Sequence, residues 1–142
     1  MSSEQERENP FIILGHLYPD TIRIFSRRVG MSFSRINMLH ELWHAGELSQ
    51  KDLQDRLDME GSLMTRFAKQ MEADGLIVRR TDPKDNRYTL VSLAPAGHAF
   101  IEKMDKLGDE FQEKLLDGLS QEDQDALIRA LKHIQGNISR ME

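Results

Sequence analysis

The segment 75–93 constrains the fold more than any other part of this 142-residue chain. Gly75 is followed by a leucine, a pair typical of a helix C-terminus, because glycine readily adopts the left-handed conformation that ends a helix. Residues 76–80 and 88–93 are rich in strand-forming side chains. Residues 82–86, Asp-Pro-Lys-Asp-Asn, have the composition of a turn. The segment therefore predicts a helix end followed by a β-hairpin.

The predicted hairpin is basic, although the chain as a whole is acidic. The chain has 19 basic and 24 acidic side chains, and the acidic excess falls mainly within residues 93–142. The charged residues of the hairpin are Arg79, Arg80, Lys84 and Arg87 against Asp82 and Asp85. A basic hairpin directly after a helix is the arrangement of a DNA-binding wing, so the charge distribution permits DNA binding through one face.

Composition excludes several classes of protein. The chain has no cysteine, which excludes disulfides and cysteine-ligated zinc and fits a reducing cytoplasm. No apolar run approaches the roughly 20 residues that span a bilayer, and the polar N-terminus is unlike a signal peptide. We therefore expect a single cytoplasmic domain over residues 1–142 that has no membrane contact.

Long amphipathic helices are predicted at both ends of the chain. Asn9 is a typical cap before a first-turn proline, and Pro19 is expected to kink or split the helix before Gly30 ends it. Pro95 begins another long helix, and Ser120 caps a last one. Apolar residues recur at helical spacing in the first, at Phe100, Met104, Leu107, Phe111 and Leu115, and the predicted inward positions of the second are Leu127, Leu131, Ile134 and Ile138.

The middle of the chain predicts helices joined by a tight connection and followed by the hairpin. One helix follows Ser32 or Ser34, residues 47–48 form a connector, Ser49 caps a short helix, and another helix covers 62–74. The positions expected to face the core are Ile36, Leu39 and Trp43, then Leu53 and Leu57, then Met64, Phe67, Ala68 and Met71. This order of elements is typical of a winged helix-turn-helix.

The hairpin segment resembles the wing of MarR-type transcription regulators. The matching positions are Gly75-Leu76, Arg79, Asp82-Pro83, Asp85, Arg87, Leu93 and Gly97. The resemblance implies a mainly α fold with a small β-hairpin wing, in which residues 32–94 form the winged helix-turn-helix. It also implies that the long helices of residues 1–31 and 95–142 form a homodimer. The chain departs from the family pattern at Ala94, where a threonine cap is usual, and at Asn86, where a basic residue is common.

The predicted DNA-binding residues fall on three segments. On the recognition helix, Arg66 would bind guanine O6 and N7, and Leu63 would meet a thymine methyl. In the wing, Arg87 would enter the minor groove. The full set is Ser49, Gln50, Lys51, Ser62, Leu63, Thr65, Arg66, Lys69, Lys84, Asp85 and Arg87. Lys69, Ser49, Gln50 and Lys51 are assigned to phosphates, Lys84 to the minor groove, and Asp85 to orienting Arg87. Alternatively, these are ordinary solvated residues.

The family resemblance also implies a function. It indicates a dimeric repressor that occupies a pseudo-palindromic operator in double-stranded DNA and is released by a small-molecule effector. Because the chain has no cysteine, a cysteine-oxidation switch is excluded. Candidate residues for an effector pocket are His16, Arg23, Trp43 and His44, which combine aromatic surface with polar groups. No cofactor and no metal are expected.

Two alternatives belong to other classes of protein. His40, Glu41 and His44 fit the H-E-x-x-H spacing of zinc hydrolases, in which two histidines bind the metal and the glutamate is the base. The downstream candidates for a third ligand, Glu60 and Glu72, fall inside the predicted DNA-binding motif, so structural histidines explain the spacing well. The other alternative is a protein-binding adaptor that kept this fold without DNA affinity.

Overall fold

The computed structural model describes Glu4 and residues 8–142. Residues 1–3 and 5–7 of the predicted dimerisation segment lie outside the described residues. In chain order the elements are α1 (Pro10–Val29), α2 (Phe33–Ala45), β1 (Glu47–Ser49), α3 (Gln50–Arg56), α4 (Gly61–Ala73), β2 (Ile77–Thr81), β3 (Thr89–Leu93), α5 (Pro95–Leu115) and α6 (Gln121–Ser139). Within these ranges, no helix combines the length and apolar character that crossing a membrane requires. The predicted mainly helical fold with a small hairpin is confirmed.

The chain forms two compact units, Met1–Lys106 and Leu107–Glu142. The first contains α1 to β3 and the beginning of α5, and the second contains the end of α5 and all of α6. The division into 1–31, 32–94 and 95–142 expected from the family resemblance stays a prediction.

Local capping signals determine where the helices begin. The Asn9 side chain accepts a hydrogen bond from the Phe11 amide at 2.9 Å. Ser32, rather than Ser34, caps α2, and Ser49 Oγ accepts from the Asp52 amide at 3.0 Å. These contacts satisfy N–H groups that have no partner inside their helix.

Pro19 does not split α1, which runs without interruption from Pro10 to Val29. Proline removes one helical N–H donor, here the one that would bond the Gly15 carbonyl. Both Gly15 and Pro19 are exposed, so this carbonyl remains accessible to water and the lost bond costs less than in a core.

The core of the first unit contains four residues of α2, Ile36, Met38, Leu39 and Leu42, and Met38 and Leu42 are not among the predicted positions. Ile36 and Leu39 are buried as expected, but Trp43 is 37% exposed and Leu42, at 1%, occupies the core instead. The inward face of α2 therefore continues by a step of three residues after Leu39. The Trp43 ring instead makes an edge contact with His98, with 5.6 Å between ring centroids.

The sheet has three antiparallel strands in the order β1-β3-β2. The expectation that residues 47–48 form only a connector is wrong, because Glu47–Ser49 pairs with β3. Leu48 lies opposite Val91, and Arg79 lies opposite Val91 on its other side. Leu48 and Val91 are buried, so one face of the sheet covers the core.

Two glycines allow the hairpin to join its neighbouring helices. Gly75 has φ = +78°, the left-handed conformation expected after α4. Gly97, in the first turn of α5, lies so close to the strand entry that a Cβ there would stand 2.2 Å from the Leu76 carbonyl oxygen. Side chains at these positions would strain the backbone or clash with it.

Leu115, on the apolar face of α5, and most of the α6 residues predicted to point inward are exposed. Leu127 and Leu131 are each 41% exposed, and Ile138 and Leu115 are each 54% exposed. Only Ile134 among the α6 positions is half-buried. The inward assignment is therefore wrong for a single chain, since the periodicity identifies an apolar face but not what covers it. Ser120 does cap α6, accepting from the Asp123 amide at 3.1 Å.

Candidate DNA-binding interface

Helix α4 has one buried face and one exposed polar face. Met64, Ala68 and Met71 are each 0% exposed. The opposite face exposes Ser62, Leu63, Arg66 and Lys69. An amphipathic helix anchored by its buried face presents the other face in a fixed orientation. Four of the five residues of this helix that are predicted to contact DNA are therefore exposed on one side of it.

Gln50 and Thr65 do not point freely outward, because they hydrogen-bond each other. Gln50 Nε2 donates to Thr65 Oγ1 at 2.9 Å, and Thr65 Oγ1 donates to the Gly61 carbonyl at 3.1 Å. Both side chains are half-buried. These bonds connect the start of α3 to the first turn of α4, so the two residues hold the helix pair together in this conformation.

Four predicted DNA-binding cations carry no ion pair in the described part of the chain. They are Lys51, Arg66, Lys69 and Lys84, and all four are exposed. A cation with no carboxylate partner does not have to give one up in order to bind a phosphate or a base. These residues are the strongest candidates for contacts with an anionic partner.

Arg87 at the hairpin tip is both paired and exposed. Its Nε and Nη2 donate to Asp85 Oδ1 and Oδ2 at 3.0 and 2.8 Å. The Arg87 side chain is 80% exposed and that of Asp85 is 29% exposed. The Arg87 guanidinium, followed by the Arg87 amide, holds the pKa of Asp85 below its usual value, and the Asp85 carboxylate raises the pKa of Arg87. Asp85 thus orients Arg87, as predicted, while the outer side of the guanidinium faces solvent.

Arg79 and Arg80 bind carboxylates that lie outside the hairpin. Arg80 donates to both Glu47 oxygens at 2.8 and 3.0 Å, which lowers the pKa of Glu47 and raises that of Arg80. Arg79 donates to Glu72 through its backbone N–H at 3.1 Å and through Nη2 at 3.2 Å. Once these partners are counted, the base of the hairpin is not a source of free positive charge.

A shallow recess brings residues of α3 and of the wing together. It is lined by Gln50, Lys51, Gln54, Arg87, Tyr88 and Thr89. Lys51 and Arg87 are 36 positions apart in sequence, yet they border the same recess. Cations of the helix-turn-helix and of the wing can therefore face a common anionic surface.

The predicted effector residues divide into two pairs. His16 and Arg23 are exposed on α1, where Arg23 pairs with Asp20 at 3.0 Å. Trp43 and His44 are exposed on α2. Within the described ranges, no hydrogen bond, ion pair or ring contact joins the α1 pair to the α2 pair. Their role in binding a small molecule stays a prediction.

The H-E-x-x-H residues are arranged differently from a zinc centre. The His40 and His44 rings stack at 6.2 Å with an interplanar angle of 18°. Glu41 accepts from Arg56 Nη1 at 3.1 Å and is therefore engaged in an ion pair between α2 and α3. Among the described residues, no group of three or more His, Asp or Glu side chains could hold a metal ion.

Comparisons with known proteins agree with this geometry. The MarR family model matches residues 31–89. The chain is 38% identical to the uncharacterized HTH-type transcriptional regulator YdgJ of Bacillus subtilis over 118 residues, which are 83% of this chain and 72% of that protein. It is 24% identical to the HTH-type transcriptional repressor IacR of Pseudomonas putida over 144 residues, with 99% of this chain and 86% of that protein covered.

A solved structure shares the fold. The crystal structure of a mutant MarR from E. coli complexed with operator DNA superposes with a TM-score of 0.73 at 22% identity, covering 89% of this chain and 96% of that chain. These findings do not support the zinc-hydrolase alternative. On the family match and its relatives, the chain belongs to the MarR family of transcriptional regulators.

Proposed function

We propose that this protein is a dimeric repressor that binds a pseudo-palindromic operator in double-stranded DNA and catalyses no reaction. The observation that carries the proposal is the exposed face of α4, on which Arg66 and Lys69 have no ion-pair partner in the described part of the chain. The mutant MarR of E. coli was crystallised with operator DNA, and we extend that activity to this chain. Since its target is chromosomal DNA, we place the protein in the bacterial cytoplasm.

The proposed sequence reading lies on the N-terminal half of α4. Arg66 donates to O6 and N7 of a guanine, a bidentate contact that other bases do not offer in the major groove. Leu63, which is 42% exposed, packs against a thymine methyl. Lys69 and Ser62 bind phosphates, which position the helix without reading sequence.

Helix α3 supports this contact from one side. Lys51 and Ser49, at its N-terminus, bind a phosphate, since the first N–H groups of a helix and a nearby ammonium both attract anions. Gln50 and Thr65, predicted from sequence as contacts, act through their mutual hydrogen bond by holding α3 against α4.

The wing extends the proposed contact to the flanking minor groove. Arg87 enters the groove with the side of its guanidinium that Asp85 leaves free, and the exposed Lys84 reaches the same groove. A narrow, A·T-rich minor groove concentrates negative potential, so this contact favours operators with such flanks.

Dimerisation is proposed for the segments 1–31 and 95–142. In the first unit, α1 exposes Phe11, Leu17 and Tyr18 at 84%, 54% and 63%. In the second unit, α6 exposes a row of apolar residues, namely Leu127, Ile128, Leu131 and Ile138. Apolar helix faces of this kind usually bind a partner. A two-fold dimer would place two α4 helices about 34 Å apart, so that they match successive major grooves.

Repression then follows from occupancy of the operator, and release follows from a small-molecule effector. An effector can release DNA only if it binds more tightly to a dimer in which the two α4 helices no longer match the grooves. We propose that such an effector contacts His16, Arg23, Trp43 or His44, all of which are exposed. IacR, a relative of similar length, is itself a repressor, which supports repression over activation.

The test is a selection of bound fragments from random DNA at several salt concentrations, together with sedimentation equilibrium of the purified protein. We expect a palindromic consensus, affinity that falls steeply with salt, and a dimer at micromolar concentration. Fragments without any consensus at every salt concentration would contradict the proposal and favour the adaptor. A monomer in sedimentation would contradict the dimeric part alone.

A further inference from the structure

We propose that Glu72 is a positioning residue, which fixes the direction of the wing relative to α4 and thereby decides whether Arg87 reaches the flanking minor groove. The inference rests on the proposed function, since it assigns a role within DNA binding. It concerns one carboxylate in the last turn of α4 and one residue of β2, Arg79.

The contact joins a helix to an edge strand. Among the described strands, β2 pairs with β3 alone and lies at the edge of the sheet, so its other edge is available to other groups. Glu72 Oε2 accepts from the backbone N–H of Arg79 at 3.1 Å, and Glu72 Oε1 accepts from Arg79 Nη2 at 3.2 Å. One carboxylate thus bonds both the backbone and the side chain of the same residue. Such a pair of bonds restrains the strand more than a single side-chain contact does.

The Arg79 side chain is positioned to bind Glu72 and is too little exposed to contact DNA. Its side chain is only 19% exposed, whereas that of Arg87 is 80% exposed. The Nε atom of Arg79 is buried and has no hydrogen-bond partner among the described residues. Glu72 therefore supplies the carboxylate for a guanidinium that is largely withdrawn from solvent.

The backbone and the core also hold this junction, since the Leu76 amide donates to the Met71 carbonyl at 3.1 Å and Ile77 is 2% exposed in the core that Met71 shares. The connection between α4 and β2 passes through Gly75 in the left-handed conformation, a residue with wide conformational freedom. The ion pair between Arg80 and Glu47 lies within the sheet and does not touch α4. The bond from the Ala94 amide to the Leu76 carbonyl, at 3.0 Å, holds the strand entry against the end of β3.

Because the hairpin tip is far from Arg79, a small rotation of the hairpin at Arg79 moves the tip by a large distance. A strand advances about 3.3 Å per residue, so the hairpin tip lies on the order of 15 Å beyond Arg79. A rotation of about 10° at Arg79 would then move Arg87 by about 3 Å, comparable to the length of a hydrogen bond. Losing the Glu72 contact should therefore weaken the wing contact while α4 itself stays in place.

The main test compares Glu72→Ala with Glu47→Ala. Both variants remove one negative charge and one arginine partner of the hairpin, but Glu72 lies on α4, whereas Glu47 lies on β1 within the sheet. Removing an acid strengthens DNA binding electrostatically, so a positioning defect has the opposite sign. We expect Glu72→Ala to bind operators with A·T-rich flanks about two- to fivefold more weakly and to lose the flank preference, whereas Glu47→Ala keeps the flank preference and binds at least as tightly as the wild type.

Double-mutant cycles separate positioning from general destabilisation. In an Arg87→Ala background, Glu72→Ala should cause no further loss, because the wing contact is already absent. In an Arg66→Ala background, the two losses should multiply. Equal thermal unfolding midpoints of Glu72→Ala and Glu47→Ala would show that folding is not the cause. A retained flank preference, or losses that multiply with Arg87→Ala, would overturn the inference.

A measurement without DNA keeps the inference separate from the proposed function. Amide hydrogen exchange at Arg79 should accelerate in Glu72→Ala and stay unchanged in Glu47→Ala, because only the first variant removes the acceptor of this N–H. Unchanged exchange in Glu72→Ala would overturn the proposed clamp even if the protein binds an operator. A wild-type protein that selects no operator would overturn the role in DNA binding together with the proposed function.

Discussion

The base of the hairpin and the DNA-facing cations differ in what their positive charges do. At the base, Arg79 and Arg80 are bound to Glu72 and Glu47. On the exposed face of α4, Arg66 and Lys69 have no such partner in the described part of the chain. The base is therefore held together by its charges, whereas the α4 face leaves its charges available.

This difference shows that a local charge count does not identify a nucleic-acid interface. Counted alone, the hairpin is basic, but two of its four cations are neutralised by acids elsewhere in the chain. Glu47 lies 33 positions from Arg80, so their pairing depends on the fold and not on the neighbouring sequence. We therefore expect Arg80, at the base, to contribute to stability and not to base recognition, while Arg66 and Lys69 on the exposed face of α4 contribute to DNA binding.

The largest expected effect is on stability and comes from Gly97→Ala, in α5 beside the base of the hairpin. A Cβ at this position would lie 2.2 Å from the Leu76 carbonyl oxygen, so α5 must move away from the strand entry. We expect the free energy of unfolding to fall by about 3 kcal/mol, measured by urea denaturation. Gly108→Ala, in the same helix, is the control, since nothing lies within 4 Å of its Cβ. That variant should gain up to about 1 kcal/mol. Equal stability of both variants would contradict the close approach.

The next effect contrasts Arg66→Ala with Arg80→Ala. We expect Arg66→Ala to weaken operator binding by about 1–3 kcal/mol and to relax the preference for one base, with folding unchanged. Arg80→Ala removes the same type of side chain from the base of the hairpin. It should leave the preference for one nucleotide base unchanged. Fluorescence anisotropy on operators altered at single positions measures both. Loss of the preference for one nucleotide base in Arg80→Ala, with no such loss in Arg66→Ala, would contradict the assignment of base reading to Arg66.

A smaller effect concerns the titration of Asp85. The Arg87 guanidinium lowers the pKa of Asp85, so Arg87→Ala should return that pKa towards its ordinary value, while Arg80→Ala should raise only the pKa of Glu47. A carboxyl with a lowered folded pKa stabilises the fold above its unfolded pKa of about 3.9. This contribution is lost as the pH falls through the lower, folded pKa. Carbon-detected NMR titration measures each group, and an Asp85 pKa indifferent to Arg87→Ala would disprove the pairing.

Local signals were sufficient to predict much of the fold. The caps at Asn9, Ser49 and Ser120 depend on bonds to residues two or three positions away, and all three were predicted and found. The hairpin was also predicted from its own residues. Non-local features were missed: β1 exists only because it pairs with β3, more than 40 positions later. The choice of Leu42 over Trp43 for the core likewise depends on what packs against α2.

For the candidate interface, too, the sequence predicts the local features but not the contacts between distant residues. Exposure of Arg66 and Lys69 follows from the apolar period of α4, which the sequence contains. The hydrogen bond from Gln50 to Thr65 and the pairing of Arg79 with Glu72 depend on how helices and strands meet in space. Periodicity therefore indicated which side chains face outward, but not which of them are already engaged.

The most direct test of the comparison is the salt dependence of operator affinity for Lys69→Ala and Arg80→Ala. Each phosphate contact that is lost reduces the slope of log affinity against log salt by about one. We expect Lys69→Ala to lower the slope by about one for each protomer and to weaken binding to operator and random DNA alike, whereas Arg80→Ala leaves the slope unchanged. A slope lowered by Arg80→Ala and unaffected by Lys69→Ala would contradict the assignment of DNA contacts to the unpaired cations.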